Sequence, residues 1–402
     1  MTTGPLAAAA AQPHLALPPA APLDVDVDDL LARVDRGSAA MGPYPEVGGN
    51  RVQLMTTVGE FYDDLARELR SPDLRTLNVQ EYAWYRNGFG REATGLVEDA
   101  LHRGVDVAST TDMMGTRSKL GSFQQARLRR AGAEIGEHRP WMGSLADHRK
   151  LFVVNGTTMY LTGVGLGQKY QQHWEDLTVR IDGPVAAWGQ AEHLARMRDM
   201  GGDVSAVQRE VLADALRNPV AQGQAGVRLL TSRPGSPSEI DAFAGAEFAR
   251  RDRPLYVATS FFADPERAAA LSTAAEEGRD VNVVMTPLSW KRQRRQFFPD
   301  AISRTYVDRM VRSGVKVIEP REFFHAKAVF GGGSDYSIGS ANMSASKFHE
   351  LNAHIRDPES AAELLRYFEG HISYGERMTP STFANPIDDA LRGVVNALRL
   401  RC

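Results

Sequence analysis

Apolar positions along this chain recur at two spacings, and the two alternate. Short runs at 52–55, 74–82, 104–112, 227–230, 255–260, 281–285 and 315–318 are dense in aliphatic residues and predict buried strands. Between them, 58–69, 91–102, 184–200, 265–277 and 301–312 carry apolar residues three and four apart, the period of a helix with one buried face. Ile240, Phe243, Ala244 and Phe248 give one more such face. Strands alternating with helices argue for an α/β architecture. Gly201 and Gly202 interrupt the series and the order then starts again, which divides the chain into halves at 46–203 and 204–402 behind a segment 1–45. Residues 1–22 are rich in Ala and Pro and predict a disordered tail. Asp28 and Asp29 then open a short helix through Leu30, Leu31 and Val34. At the far end Ile387, Leu391, Val394, Val395 and Leu398 predict a packed C-terminal helix.

Two stretches carry chemistry. Phe324 to Phe330 is apolar apart from His325 and Lys327, and predicts a buried strand. A strand repeats every two residues, so the two polar side chains leave the same face roughly 7 Å apart, a distance that suits one phosphate. Histidine can attack phosphorus or protonate a leaving oxygen near neutral pH, and lysine supplies fixed positive charge. Gly339-Ser340-Ala341-Asn342 follows, with Ser340 and Asn342 as donors to phosphoryl oxygens, and Glu350 is placed to orient His325. The pattern occurs earlier as His148 and Lys150, followed by Thr162-Gly163-Val164-Gly165 and by Trp174-Glu175-Asp176. Two half-sites imply a duplicated fold with a composite site on its pseudo-two-fold axis. Asn155-Gly156 lies between apolar runs 151–154 and 158–161, a strong hairpin signal because both turn residues need positive φ.

These paired motifs resemble the phospholipase D superfamily, whose pattern is H-x-K-x4-D-x6-G-S-x-N in two copies. The run Trp174-Glu175-Asp176-Leu177-Thr178-Val179-Arg180-Ile181-Asp182-Gly183-Pro184 is most similar to the cardiolipin synthase-like branch. The resemblance covers about residues 50 to 375 and implies two similar α/β-sandwich halves, with mixed sheets flanked by helices and the active site at their interface. It implies a phosphodiesterase or phosphatidyltransferase working through a covalent phosphohistidine, with His148 the nucleophile, Lys150 and Lys327 holding the phosphoryl group, Glu350 orienting His325, and Asp176 or Glu175 orienting His148. Gly163 and Gly165 stand where the first copy would bind substrate. The sequence departs from the pattern at Asn155 and Gly332, which replace the aspartates, and at Thr162 and Gly165, which replace the first copy's Gly and Asn.

Composition sharpens the partner list. The 402 residues are 43% hydrophobic, enough for a large core, and 47 Lys and Arg against 50 Asp and Glu give a net charge of −3. No global positive field draws the chain to nucleic acid or to an anionic membrane, which counts against a nuclease, while the resemblance to the cardiolipin synthase-like branch implies a phospholipid-type phosphodiester. A small-molecule phosphodiester and a catalytically weakened binding protein are the other readings. The one local cationic cluster, 290–298, interleaves Lys291 and Arg292 with aromatics and suits a phosphate-bearing substrate. Cys402 is the lone cysteine, there is no His-Glu-x-x-His pattern, and two lysines can neutralise the phosphate, so neither cofactor nor metal is expected. No stretch reaches eighteen consecutive apolar residues and the N-terminus lacks the pattern of a secretory signal. We therefore expect a cytoplasmic monomer with at most peripheral membrane contact.

Overall fold

The computed structural model describes residues 17–35, 44–117, 121–140, 146–288, 297–344 and 348–384, with Asp388 and Gly393. Two sets of seven strands take the same spatial order. In the first half it runs Val47–Met55, Thr178–Asp182, Thr158–Thr162, Leu151–Val154, Thr76–Glu81, Asp106–Asp112, Glu134–His138. In the second it runs Ala225–Ser232, Phe348–Arg356, Asp335–Gly339, Ala328–Phe330, Leu255–Thr259, Val281–Met285, Lys316–Glu319. Each set is mixed, its three outer strands parallel and the rest antiparallel. The two first strands pair antiparallel, Val47 opposite Val227, so the halves join edge to edge in one continuous sheet, as a two-fold between them requires.

Strand alternation divides the core. Phe152 and Val154 pack under the helices Val58–Arg70 and Phe89–His102, while Leu151 and Val153 face the helix Val185–Asp199. The second half repeats this. Val257 and Val283 lie under helices Glu239–Ala249 and Pro265–Glu276, and Ala258 and Val284 lie toward Pro358–Tyr374. Apolar residues of Val185–Asp199 and Pro358–Tyr374 belong to one cluster spanning both halves. Helix starts are written locally: Thr57 and Glu60 form a reciprocal capping box, and Asp264 and Asp357 cap helices that begin with proline.

Several expectations are corrected here. Of the expected tail at 1–22, residues 1–16 lie outside the described residues, and Pro19 bridges to Gly48 on the first strand. A Cβ on Gly48 would stand 2.4 Å from the Pro18 carbonyl oxygen, so glycine admits this contact. The helix Ala206–Arg217, beyond the 203/204 boundary, packs on the first half, where Gln208 accepts from Asn78 at 3.1 Å and from Gln190 at 2.9 Å. The expected hairpin is present: Asn155 and Gly156 have φ of 53° and 67° between paired strands. The expected C-terminal helix around 387–398 lies outside the described residues except for Asp388 and Gly393.

Candidate active site

The H-x-K segments are not continuous strands. Pairing stops at Phe324 and resumes at Ala328, and in the first half stops at Asp147 and resumes at Leu151. The reason is a change of partner. Ala146–Asp147 pairs in parallel with Phe348 and His349 of the other half, and Phe323–Phe324 with Trp174 and Glu175. The backbone amide of His148 donates to the His349 carbonyl at 3.0 Å, and that of His325 to the Glu175 carbonyl at 2.7 Å. Each histidine therefore begins a segment that has crossed to the opposite half.

This crossing reverses the expected carboxylate assignments. His148 Nδ1 lies 3.0 Å from Glu350 Oε1, and His325 Nδ1 lies 2.7 Å from Asp176 Oδ2. The register makes the two carboxylates equivalent: Thr162 faces Thr178 and Gly339 faces Asn352, and Asp176 and Glu350 each stand two residues before those partners. Glu175 orients neither catalytic candidate; it meets His371 Nε2 at 2.7 Å. Lys150 Nζ donates to the His148 carbonyl at 2.7 Å, and Lys327 Nζ to the carbonyl of His325. Lys327 Nζ also lies 2.6 Å from His325 Nδ1.

Other expected donors have different tasks. Ser340 hands its hydroxyl hydrogen to Glu350 and so ties down that carboxylate. Asn342 accepts from Ser260 Oγ at 2.5 Å, and its carbonyl takes an N–H from Arg267 at 3.1 Å. Gly163 is a clearance: a Cβ there would stand 2.5 Å from Asp176 Oδ1. Gly165 is another, its Cβ position 2.6 Å from the Tyr170 hydroxyl, and its carbonyl accepts from Tyr62 at 2.5 Å. Lys291 and Arg292 lie outside the described residues.

Burial sets the charge state. It holds His148 below the usual histidine range, with Glu350 opposing and Lys150 adding to the shift. His325 is held well below by burial and then by Lys327 and Lys150. Burial brings Lys327 down to about 7 and raises Asp176 to about 7, each partly countered by the other's charge. Lys150 is lowered by burial against the pull of Glu81. Glu81, which sequence reasoning missed, is pushed up to about 8 by burial, with Lys150 opposing. Its signal was a carboxylate ending an otherwise buried strand. Tyr82 stands edge-on to His148, ring centres 4.9 Å apart, with Lys150 Nζ 5.2 Å from its own ring. Trp84 is core, its indole N–H donating to the Gly90 carbonyl at 2.8 Å. Among the described residues no group of three His, Cys, Asp or Glu side chains could hold a metal ion.

The chain is similar in sequence and fold to known proteins. Residues 247–372 match the family described as "Cardiolipin synthase, PLD-like domain". A probable cardiolipin synthase of Bacillus subtilis is 23% identical over 83% of this chain and 68% of its own length. A cardiolipin synthase of Geobacillus kaustophilus is 27% identical over 82% of the chain and 67% of its length. The crystal structure of phosphatidylserine synthase from Haemophilus influenzae superposes with a TM-score of 0.64 at 14% identity, covering 93% of this chain and 98% of that one. Polyphosphate kinase from Porphyromonas gingivalis follows at 0.55 and 15%, covering 87% and 53%. Duplicated strand order and two crossed histidine–carboxylate pairs stand beside these likenesses: the chain is similar to enzymes of the phospholipase D superfamily, and within it to the cardiolipin synthases.

Proposed function

We propose that the chain is a phosphatidyltransferase or phosphodiesterase acting on a phospholipid-type phosphodiester through a covalent phosphohistidine, without a metal. The observation that carries this reading is the reciprocal pair, each histidine held at Nδ1 by a carboxylate of the other half. With Nδ1 so occupied, Nε2 is the nitrogen left for chemistry on both rings. His148 Nε2 attacks phosphorus and the bond from phosphorus to the headgroup oxygen breaks. His325, protonated, gives its proton to that oxygen and the alcohol leaves. His325 then takes a proton from water or an acceptor alcohol, whose oxygen displaces His148 from phosphorus. Lys150 and Lys327 balance the charge on the phosphoryl oxygens. Burial, and after it Lys327 and Lys150, hold His325 neutral; the substrate's own negative charge offsets the lysines and so readies it as the acid. The relatives named cardiolipin synthases favour a phospholipid over other phosphodiesters.

The test is headgroup release from phosphatidylglycerol in mixed micelles containing excess chelator. Wild-type turnover is expected to survive the chelator, and His148→Ala and His325→Ala to lose at least a thousandfold in kcat. With a p-nitrophenyl ester, whose leaving group departs as a stable anion without an acid, acid-labile phosphatidyl label should be trapped on His325→Ala and not on His148→Ala. Label on His148→Ala instead would exchange the two roles, and chelator-sensitive turnover would defeat the metal-free mechanism.

A further inference from the structure

Beside His325 stands a group that the motif does not contain. Lys169 Nζ lies 4.2 Å from the ring centre of Trp174, 4.7 Å from that of Tyr170 and 5.1 Å from that of Tyr85. Trp174 stacks on Phe323 at 4.4 Å and lies 4.6 Å from the His325 ring. Tyr170 meets Trp174 edge-on at 4.5 Å and Tyr85 at 5.8 Å, so the three rings form one corner of the wall next to the histidine. The backbone around Lys169 is fitted to this position. A Cβ on Gly88 would stand 2.5 Å from Gln168, and one on Gly167 would stand 2.7 Å from the Tyr85 ring. Only glycine lets the start of the helix Gln168–His173 approach so closely.

Several aromatic rings around one cation are the usual means of recognising a quaternary ammonium. Here the cation is the chain's own. We infer that Lys169 is a specificity-determining residue: it fills the aromatic corner beside His325, admits diesters whose alcohol portion is neutral or anionic, and rejects a headgroup that carries a cation. A choline group entering that side would lose the rings to Lys169 and meet a like charge at close range, whereas a glycerol meets neither obstacle and an acceptor lipid's phosphate gains a partner. The inference rests on the phospholipid reading above and adds to it the headgroup class.

The experiment compares kcat/KM for headgroup release from phosphatidylglycerol and phosphatidylcholine, each a minor component of the same neutral detergent micelle, for wild type, Lys169→Met and Lys169→Arg. Methionine keeps an unbranched, polarizable side chain against the rings and removes the charge. Wild type should favour phosphatidylglycerol at least tenfold. Lys169→Met should narrow that ratio about tenfold or more, with an absolute gain on phosphatidylcholine, and Lys169→Arg should keep the wild-type ratio. An equal fall on both lipids in Lys169→Met would make Lys169 a purely structural residue and overturn the inference while leaving the phospholipid reading intact. Wild-type turnover of neither lipid would remove that reading, and the inference with it.

Discussion

Lys327 and Asp176 face the same buried site with opposite tendencies, one lowered to about 7 and the other raised to about 7, both chiefly by burial. As pH rises through neutrality Lys327 sheds its proton and Asp176 loses its own. Both changes make the site less attractive to an anion. Affinity for a dialkyl phosphate, whose own charge is constant over this range, should therefore fall as pH rises from 6 to 8, by about tenfold or more. Lys327→Met should bind weakly at pH 6 and flatten most of that dependence, with the residual slope due to Asp176. Calorimetric titration checks this, and an affinity unchanged across the range would contradict the charge assignment. Of these residues, the histidines and lysines were readable in the sequence because the same H-x-K spacing recurs in two copies, each ahead of an apolar run. Asp176 and Glu350 were readable as residues but not as partners, since the exchange between halves depends on a symmetry axis that linear proximity does not encode. Lys169 gave no signal, because its three rings converge only once Trp174 and Tyr85 have folded onto Tyr170.

At the scale of elements, the hairpin at Asn155 explains a departure from the family pattern. Its φ of 53° makes it the one non-glycine residue with positive φ among those described. Its side chain ties the turn to the neighbouring strand, with Oδ1 accepting from Arg75 at 2.8 Å and Thr76 at 3.0 Å and Nδ2 donating to the Asp73 carbonyl at 2.9 Å. The counterpart Gly332 has φ of 67°, so both copies meet the same backbone requirement with different residues. Asn155→Ala loses these hydrogen bonds and strains the turn, and should cost about 2 kcal/mol of stability. Asn155→Asp, which keeps the acceptor and tolerates the conformation, should lose less than half of that. Thermal unfolding measures the difference, and kcat in both variants should stay within about twofold of wild type. The turn was legible because Asn-Gly carries its conformation locally. The interruptions at His148 and His325 were not, because the apolar run continues past them and only the change of pairing partner breaks the strand.

Across the whole molecule the halves share more than a sheet edge. Arg149, between His148 and Lys150, turns its side chain away from them and is buried against Asp147 at 2.7 Å and against Glu192. Glu192 also accepts from Tyr44 and from Arg233 at 3.0 Å, and Arg196 joins Asp147 at 2.8 Å. Arg233 follows the first strand of the second half, so this cluster fastens the first H-x-K segment to the other half. Removing one partner of a buried ionic group costs more than the pair contributes, because the remaining charge keeps its desolvation penalty. Arg233→Met should cost about 2 kcal/mol, less than a complete break because Arg149 still holds Glu192. The arginines hold Asp147 well below the usual carboxylate range and Glu192 below it, against the effect of burial. A carboxylate with a depressed folded pKa contributes stability at pH above its unfolded value and loses that contribution as pH falls through the folded one. Without Arg233 the folded pKa of Glu192 rises toward its unfolded value, so its contribution shrinks at every pH above that range. The acid unfolding midpoint of Arg233→Met should consequently move to higher pH while neutral-pH kcat changes by no more than a few fold. An unchanged midpoint, followed by near-ultraviolet dichroism, would show that Arg149 alone balances Glu192 and that the tie between the halves lies in the sheet.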